Sequence, residues 1–327
     1  MAPLPLPAAS TTIFRVPTNE SVIEQFNTHM GIPEALRFEA GQGGLIRAAL
    51  TAGGAEAHVY LHGAHVTHFQ PANEPPVLFL SEKSRFETGK AIRGGVPICF
   101  PWFGPKADDP KAAMHGLARD RNWKFKTVER LPDGSVTAVL ILKWSPALLN
   151  LWPHRFTATH AITLDARGDR LTMEFAVKNL NAPDAPPLSF EAALHTYLAV
   201  SDVRGATITG LENTTYIDKT DGFARKPQDG NPITIAGETD RVYLNTATTS
   251  TVHDPGLGRR LIVEKVNSSS TVVWNPWINK AKAMADFGDD EWPGMVCIET
   301  ANVGENAVTI KPKTSHSMKA VVRVEKM

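Results

Sequence analysis

The sequence predicts an all-β fold: two large, mostly antiparallel sheets packed face to face. Three observations carry that expectation. More than a dozen segments of five to eight residues alternate apolar and polar side chains, the period of a half-buried strand. Turn sequences such as Pro-Asp-Gly-Ser at 132–135 and Ala-Arg-Gly-Asp at 166–169 separate them at hairpin spacing. Helical spacing shows in one stretch, residues 19–36, where Ile23, Phe26 and Met30 fall on one face and Asn19 or Ser21 can cap the start.

In chain order, strands are expected at Leu45–Thr51, Ala57–Leu61, Val66–Phe69, Val77–Leu80, Val136–Trp144, Phe156–Leu164 and Leu171–Asn179. They continue at Ala206–Thr209, Val242–Asn245, Arg260–Lys265, Val272–Trp274, Met295–Glu299, Ala307–Ile310 and Ser317–Val324. Short connections favour antiparallel neighbours. The Pro- and Ala-rich start reads as a flexible arm over residues 1–30 rather than a signal peptide, because no basic segment precedes an apolar one. Residues 31–327 read as one domain, with Asn-Ala-Pro-Asp-Ala-Pro-Pro at 181–187 a loop inside it.

Composition narrows the function. Lys plus Arg and Asp plus Glu each number 34, so the formal net charge is zero. Nucleic-acid binding, which calls for a basic excess, is not expected. With 42% hydrophobic and 21% charged residues the chain reads as a packed globular protein. No apolar run approaches the ~18 residues of a membrane helix. Cys99 and Cys297 form no metal-binding or disulfide pattern, which suits a reducing, cytoplasmic setting.

Four clusters carry chemistry-bearing side chains. His58, His62, His65 and His68 crowd one hairpin, but residues three apart in a strand point to opposite faces, so polar positions on a half-exposed hairpin are expected rather than a metal site. In Ala-Ile-Arg-Gly-Gly-Val-Pro-Ile-Cys-Phe-Pro-Trp-Phe-Gly-Pro at 91–105, Gly94 and Gly95 permit close approach of a ligand or another backbone beside Arg93, and Trp102 with Phe103 offers a flat wall for a sugar. His115, Arg119 and Arg121 follow. Strand alternation over 189–200 puts Glu191, Ala193, His195 and Tyr197 on one side. Met-Val-Cys-Ile-Glu at 295–299 reads as a buried strand ending on Glu299, a placement costly for a charge unless it is paired or used, and the acidic run 286–291 before it reads as solvated surface or a turn rather than a cation site.

These stretches together resemble the aldose 1-epimerase (galactose mutarotase-like) superfamily, and within it the glucose-6-phosphate 1-epimerase, or hexose-6-phosphate mutarotase, branch. The stretches are Gly-Ala-His-Val-Thr-His-Phe at 63–69, residues 89–105, His-Gly-Leu-Ala-Arg-Asp-Arg-Asn-Trp at 115–123, residues 190–202, 216–221, 238–243 and 289–303, in order along the chain. The resemblance implies a β-supersandwich and an isomerase. It implies His195 and Glu299 as catalytic residues, Arg93 and Arg119 holding a sugar phosphate, and Asp240 orienting hydroxyls. His115, Met114 and Trp102 complete the expected substrate contacts; where Met114 stands the family often has Gln, which leaves that contact open.

Anomer interconversion fits these residue types. A cyclic aldohexose opens when the C1 hydroxyl loses its proton and the ring oxygen gains one, and the aldehyde turns before closing again. Glu299 as carboxylate base and His195 as imidazolium acid, on opposite sides of the ring, are expected to do this, with no metal and no cofactor. Arg93 and Arg119 suit a phosphate, through paired charge-assisted hydrogen bonds. The expected partner is a small hexose phosphate, glucose 6-phosphate first, met by a monomer. The alternatives are a neutral-sugar aldose 1-epimerase, a carbohydrate-binding module without turnover, and a glycosidase using Glu191 with Glu299.

Overall fold

The computed structural model of the protein describes residues 18–327. Residues 1–17 of the expected arm lie outside the described residues. Residues Asn19–Met30 form the helix, and its cap is Thr18, whose hydroxyl accepts from the Ser21 N–H at 3.3 Å. The helix is fastened to the strand Leu36–Ala40: the Asn27 amide both donates to and accepts from the Phe38 backbone, at 2.8 and 2.7 Å. Phe26 packs its ring 5.1 Å from Phe38 and 6.1 Å from Phe125. Residues 19–30 of the expected arm are therefore attached to the β domain.

Two large sheets carry the fold. The nine-stranded sheet runs Ile233–Thr234, Thr207–Thr209, Ser250–Asp254, Arg259–Val266, Ser315–Lys326, Arg170–Asn179, Phe156–Leu164, Val136–Lys143 and Lys124–Arg130. The eight-stranded sheet runs Ala224–Pro227, Thr215–Asp218, Thr239–Leu244, Ser270–Asn275, Met295–Asn302, Ala192–Leu194 and Ile98–Cys99, with Tyr197–Ala199 also pairing on Met295–Asn302. Every strand ladder is antiparallel, as short connections require. A four-stranded sheet of Leu36–Ala40, Ile46–Ala52, Ala55–Tyr60 and Val66–Gln70 adds to the pair.

Alternation explains the long ladders. Phe156–Leu164 buries every second residue and leaves the others half-buried, so one face joins the shared apolar core with Leu140, Met173 and Phe175. Several strands did not announce themselves. Lys124–Arg130 is an edge strand with mostly polar residues and a register shift between Phe125 and Thr127, which breaks the period of two. The helix Trp277–Ala283 is seven residues long, too short for a helical repeat to show. Val77–Leu80, expected as a strand, makes only isolated bridges from Leu78 to Leu198 and from Leu80 to Gly94.

One face of the eight-stranded sheet builds a platform. Cross-strand partners share a face, and the ladder sets Asp240 opposite Trp274, Trp274 opposite Cys297, and Val272 opposite Glu299. Cys99, Ala193, Val242, Val272 and Ala301 form a small apolar floor around Glu299. Both cysteines are buried and unpaired.

Candidate active site

Glu299 does not end its strand. It lies inside Met295–Asn302, a strand buried at all eight positions, and only 1% of the residue is exposed. His195 reaches it from a break in the chain. The expected continuous strand at 189–200 is three short ones, Leu188–Phe190, Ala192–Leu194 and Tyr197–Ala199. At the break His195 donates its backbone N–H to Pro97 O at 3.0 Å, and Thr196 donates to Leu194 O at 2.9 Å. The side chain keeps the predicted side: its ring stacks on Tyr197 at 4.7 Å and 13°.

His195 Nε2 lies 3.3 Å from Glu299 Oε1. The expectation that the two stand on opposite sides of a sugar ring is therefore corrected: no ring fits between them, and both face one cleft. This agrees with the chemistry, because the C1 hydroxyl oxygen and the ring oxygen are bonded to the same carbon. Glu299 Oε2 and His195 Nδ1 have no hydrogen-bond partner, although both are buried. Unmade hydrogen bonds of this kind are costly in a core, and here they belong to the two groups able to exchange protons.

Burial, then Asp240, raises Glu299 well above the ordinary carboxylate value, against the opposing pull of Lys219 and Arg119. Burial, then His115, Arg119, Arg93 and Lys219, holds His195 well below the ordinary imidazole value. Both directions favour the proton on Glu299 and a neutral His195 over the carboxylate and imidazolium expected from residue type. Both descriptions hold one proton between two groups, and they interconvert when a hydroxyl relays it.

The cleft encloses about 410 Å³. His195, Glu299, Asp240, Arg93, Arg119, His115 and Met114 all line it, so seven of the eight residues singled out in the sequence converge there. Trp102 is the exception. Its indole turns away and donates to Ala113 O at 2.9 Å with Lys106 over the ring, while the adjacent Phe103 takes the inward side. Phe103, Trp274 and the exposed Phe223 give the lining its aromatic rings; Phe103 is named in the sequence beside Trp102, Trp274 shows there only as a strand residue, and Phe223 was not singled out.

The two arginines differ. Arg93 gives Nη1 to the Tyr197 hydroxyl at 3.0 Å and Nη2 to both oxygens of Asp286, at 3.1 and 3.3 Å. Burial opposes its charge, but Tyr197 and Asp286 outweigh burial and hold its pKa above the ordinary value. Arg119 has one hydrogen bond, to Met114 O at 2.8 Å, and no carboxylate within salt-bridge distance among the described residues. Two cleft lysines went unremarked in the sequence. Lys219 pairs with Asp240 at 3.0 Å, and Lys280 with Glu238 at 2.9 Å.

His115 sits at φ +63° with Nδ1 accepting from Gly104 N–H at 3.1 Å, and its ring meets those of Phe103 and His195 edge-on. Gly94 is at φ +108°, and a Cβ there would come 2.5 Å from Phe79 O; Gly95, at +60°, would meet Val66 O at 2.2 Å. The glycine pair thus admits another backbone rather than a ligand.

The remaining clusters are structural. His62 and His65 are buried, not half-exposed: His62 holds Lys90 O at 2.6 Å and His65 holds Gly94 O at 2.7 Å, which fixes the turn that carries Arg93. His58 and His68 stack across a strand pair at 4.8 Å, with Glu56 2.9 Å from His58. Among the described residues no group of three or more His, Cys, Asp or Glu could hold a metal ion. The acidic run is part surface and part clamp: Asp289 and Asp290 are exposed as expected, with Asp289 2.7 Å from Lys83, while Asp286 holds Arg93 and Glu291 accepts from Ser81 and from the Glu82 and Gly288 backbone. Glu191, the other acid of the glycosidase alternative, spends both oxygens on the N–H groups of Phe103 and Gly304, at 2.8 and 2.7 Å, and does not line the cleft. No described helix is long and apolar enough to cross a membrane.

Comparison with known proteins agrees with the fold. The family model described as aldose 1-epimerase matches residues 47–323. A protein of Cenchrus ciliaris named "Putative glucose-6-phosphate 1-epimerase" is 37% identical over 260 residues, 78% of this chain and 77% of that one. One of the same name from Escherichia coli K12 is 34% identical over 274 residues, 81% and 86% of the two chains. A crystal structure described as a "putative mutarotase" from Salmonella typhimurium superposes with a TM-score of 0.82 at 28% identity, over 94% of this chain and all of that one.

Proposed function

The chain belongs to the aldose 1-epimerase family, and from that premise we propose that it interconverts the α and β anomers of an aldohexose 6-phosphate, glucose 6-phosphate first. The observation that carries this reading is the pair of adjacent, buried groups His195 and Glu299, which both line one cleft and each keep a buried polar atom without a hydrogen-bond partner.

The pair works as one proton relay. Whichever member lacks the proton takes it from the C1 hydroxyl, while the other gives its proton to the ring oxygen. The C1–ring oxygen bond breaks and an open-chain aldehyde forms. Rotation about C1–C2 presents the other carbonyl face, and closure returns both protons. The state of the pair after opening is its other one-proton form, so the relay is ready for the reverse step. Each positioned acid or base of this kind contributes a factor of roughly 10²–10⁴.

Around the reacting end, Asp240 accepts from sugar hydroxyls and Phe103 and Trp274 cover apolar C–H faces. Arg119, with no carboxylate of its own, receives the phosphate; Arg93, already tied to Asp286 and Tyr197, stiffens the wall beside His195. Met114, half exposed at the rim, offers a thioether rather than an amide to the substrate. The enzyme acts as a monomer in the cytoplasm on a small hexose phosphate, with no partner macromolecule.

Polarimetry or NMR on freshly dissolved α-glucose 6-phosphate tests the reading. Equilibration faster than buffer at neutral pH is expected, and a rate equal to buffer overturns it.

A further inference from the structure

Four cations line the cleft, and they are not equivalent. Arg93 is held by Asp286 and Tyr197, Lys280 by Glu238 at the rim, and Arg119 by a carbonyl alone. Lys219 is different in kind, because its partner is itself a substrate-facing group. Its Nζ lies 3.0 Å from Asp240 Oδ2 and 5.1 Å from the centre of the Phe103 ring. Its backbone N–H donates to Asp240 O at 2.9 Å, which fixes the two residues side by side whatever the side chains do. The Lys219 side chain is 21% exposed and that of Asp240 13% exposed, so the pair is only partly open to water.

We propose that Lys219 is a counter-ion switch: it neutralises Asp240 before substrate binds, and a phosphorylated sugar draws it away, leaving Lys219 with Arg119 on the phosphate and Asp240 free to accept from the sugar hydroxyls. The inference rests on the phosphate reading above and assigns that specificity to a residue pair.

The physical case is an exchange of partners. A carboxylate bound to an ammonium is a poor acceptor for hydroxyls, because its lone pairs and charge are engaged. A lone Asp240 is unfavourable when no ligand is present, since its side chain is only 13% exposed and would be left without its Lys219 counter-ion. A phosphate dianion pays neither penalty: it offers Lys219 a stronger partner, and the hydroxyls on the same molecule occupy Asp240. Phosphate and hydroxyl recognition are thereby coupled, and a neutral sugar, which cannot draw Lys219 away, finds Asp240 engaged. The released Asp240 also bears directly on Glu299, whose proton affinity it raises, so the same exchange adjusts the acid–base pair.

Calorimetric titration with inorganic phosphate, alongside turnover of α-glucose 6-phosphate and α-glucose, tests the switch. Lys219→Met is expected to weaken phosphate binding about ten-fold or more and to raise KM for glucose 6-phosphate, while kcat/KM for glucose rises because Asp240 is freed. Lys219→Arg restores most of the phosphate affinity. Asp240→Asn carries the decisive sign: with its internal partner gone, Lys219 binds inorganic phosphate about three- to ten-fold more tightly than in the wild type. Unchanged or weaker phosphate binding in Asp240→Asn overturns the switch, as does an equal loss on both sugars in Lys219→Met. Failure of the mutarotase reading looks different: the wild type turns over neither sugar, whatever the phosphate titrations give.

Discussion

The two large sheets are built to different rules. In the nine-stranded sheet, Phe156–Leu164 pairs with Arg170–Asn179 over nine consecutive positions, and one face is filled by side chains such as Ile162, Met173 and Phe175. At the eight-stranded sheet the chain at 188–199 is broken into three short strands, the first of which, Leu188–Phe190, leaves the sheet to pair with Val308–Ile310, and a carboxylate and an imidazole with unmade hydrogen bonds sit among buried neighbours. Regularity maximises burial; the breaks give up ladder to aim side chains. The comparison teaches that the first sheet carries stability and the second spends part of it on chemistry.

The sharpest way to break that division is to change one residue in each. Glu299→Gln and His195→Ala are each expected to lower kcat by about 10²–10⁴ while the fold persists. Because the two groups share one proton, the double variant should be little slower than the worse single one. Full additivity of the two losses, measured by mutarotation rates, would show that they act separately. On the other sheet, Ile162→Ala removes a fully buried side chain and is expected to cost about 2–5 kcal/mol in denaturant unfolding. Its kcat per folded molecule should stay within about two-fold of wild type. A large fall in kcat from Ile162→Ala would mean that the division is false.

The same contrast explains what could be read in the sequence. Phe156–Leu164 was legible to the residue because a strand with one core face repeats every two positions, and the Ala-Arg-Gly-Asp turn marks its end. Lys124–Arg130 was not, because at a solvated edge neither face has to be apolar. At the site, a carboxylate in the apolar run Met-Val-Cys-Ile-Glu already marked Glu299 as paired or functional. Its distance from His195 was not legible, since residues about a hundred positions apart meet only through the pairing of 192–194 and 197–199 with 295–302. Trp102 shows the limit of residue type. Indole and phenyl rings at adjacent positions are equally plausible walls for a sugar, and only the local chain direction chooses Phe103. Arg93 shows it again: the sequence identifies a guanidinium beside two glycines but not the Asp286 that already occupies it.

The smallest expected effect is thermodynamic, and it reports the resting state of the pair. Glu299 has its pKa raised in the fold, by burial and then by Asp240. The native state then keeps a proton that the unfolded chain releases, so this residue's contribution is present below the unfolded value and is lost as pH rises toward the folded one. His195 has its pKa lowered, by burial and then by its cationic neighbours. The unfolded chain then takes up a proton that the native state refuses, so its contribution is lost as pH falls below the ordinary histidine value. Glu299→Gln removes only the first of these. The variant should therefore melt at a higher temperature than the wild type at pH 8, with a difference that shrinks toward pH 5. A carboxylate–imidazolium ion pair predicts the opposite sign, because glutamine would leave a buried cation without its partner. A lower Tm for Glu299→Gln at pH 8 would establish the ion pair as the resting state, and with it a site held together by the same interaction that performs its chemistry.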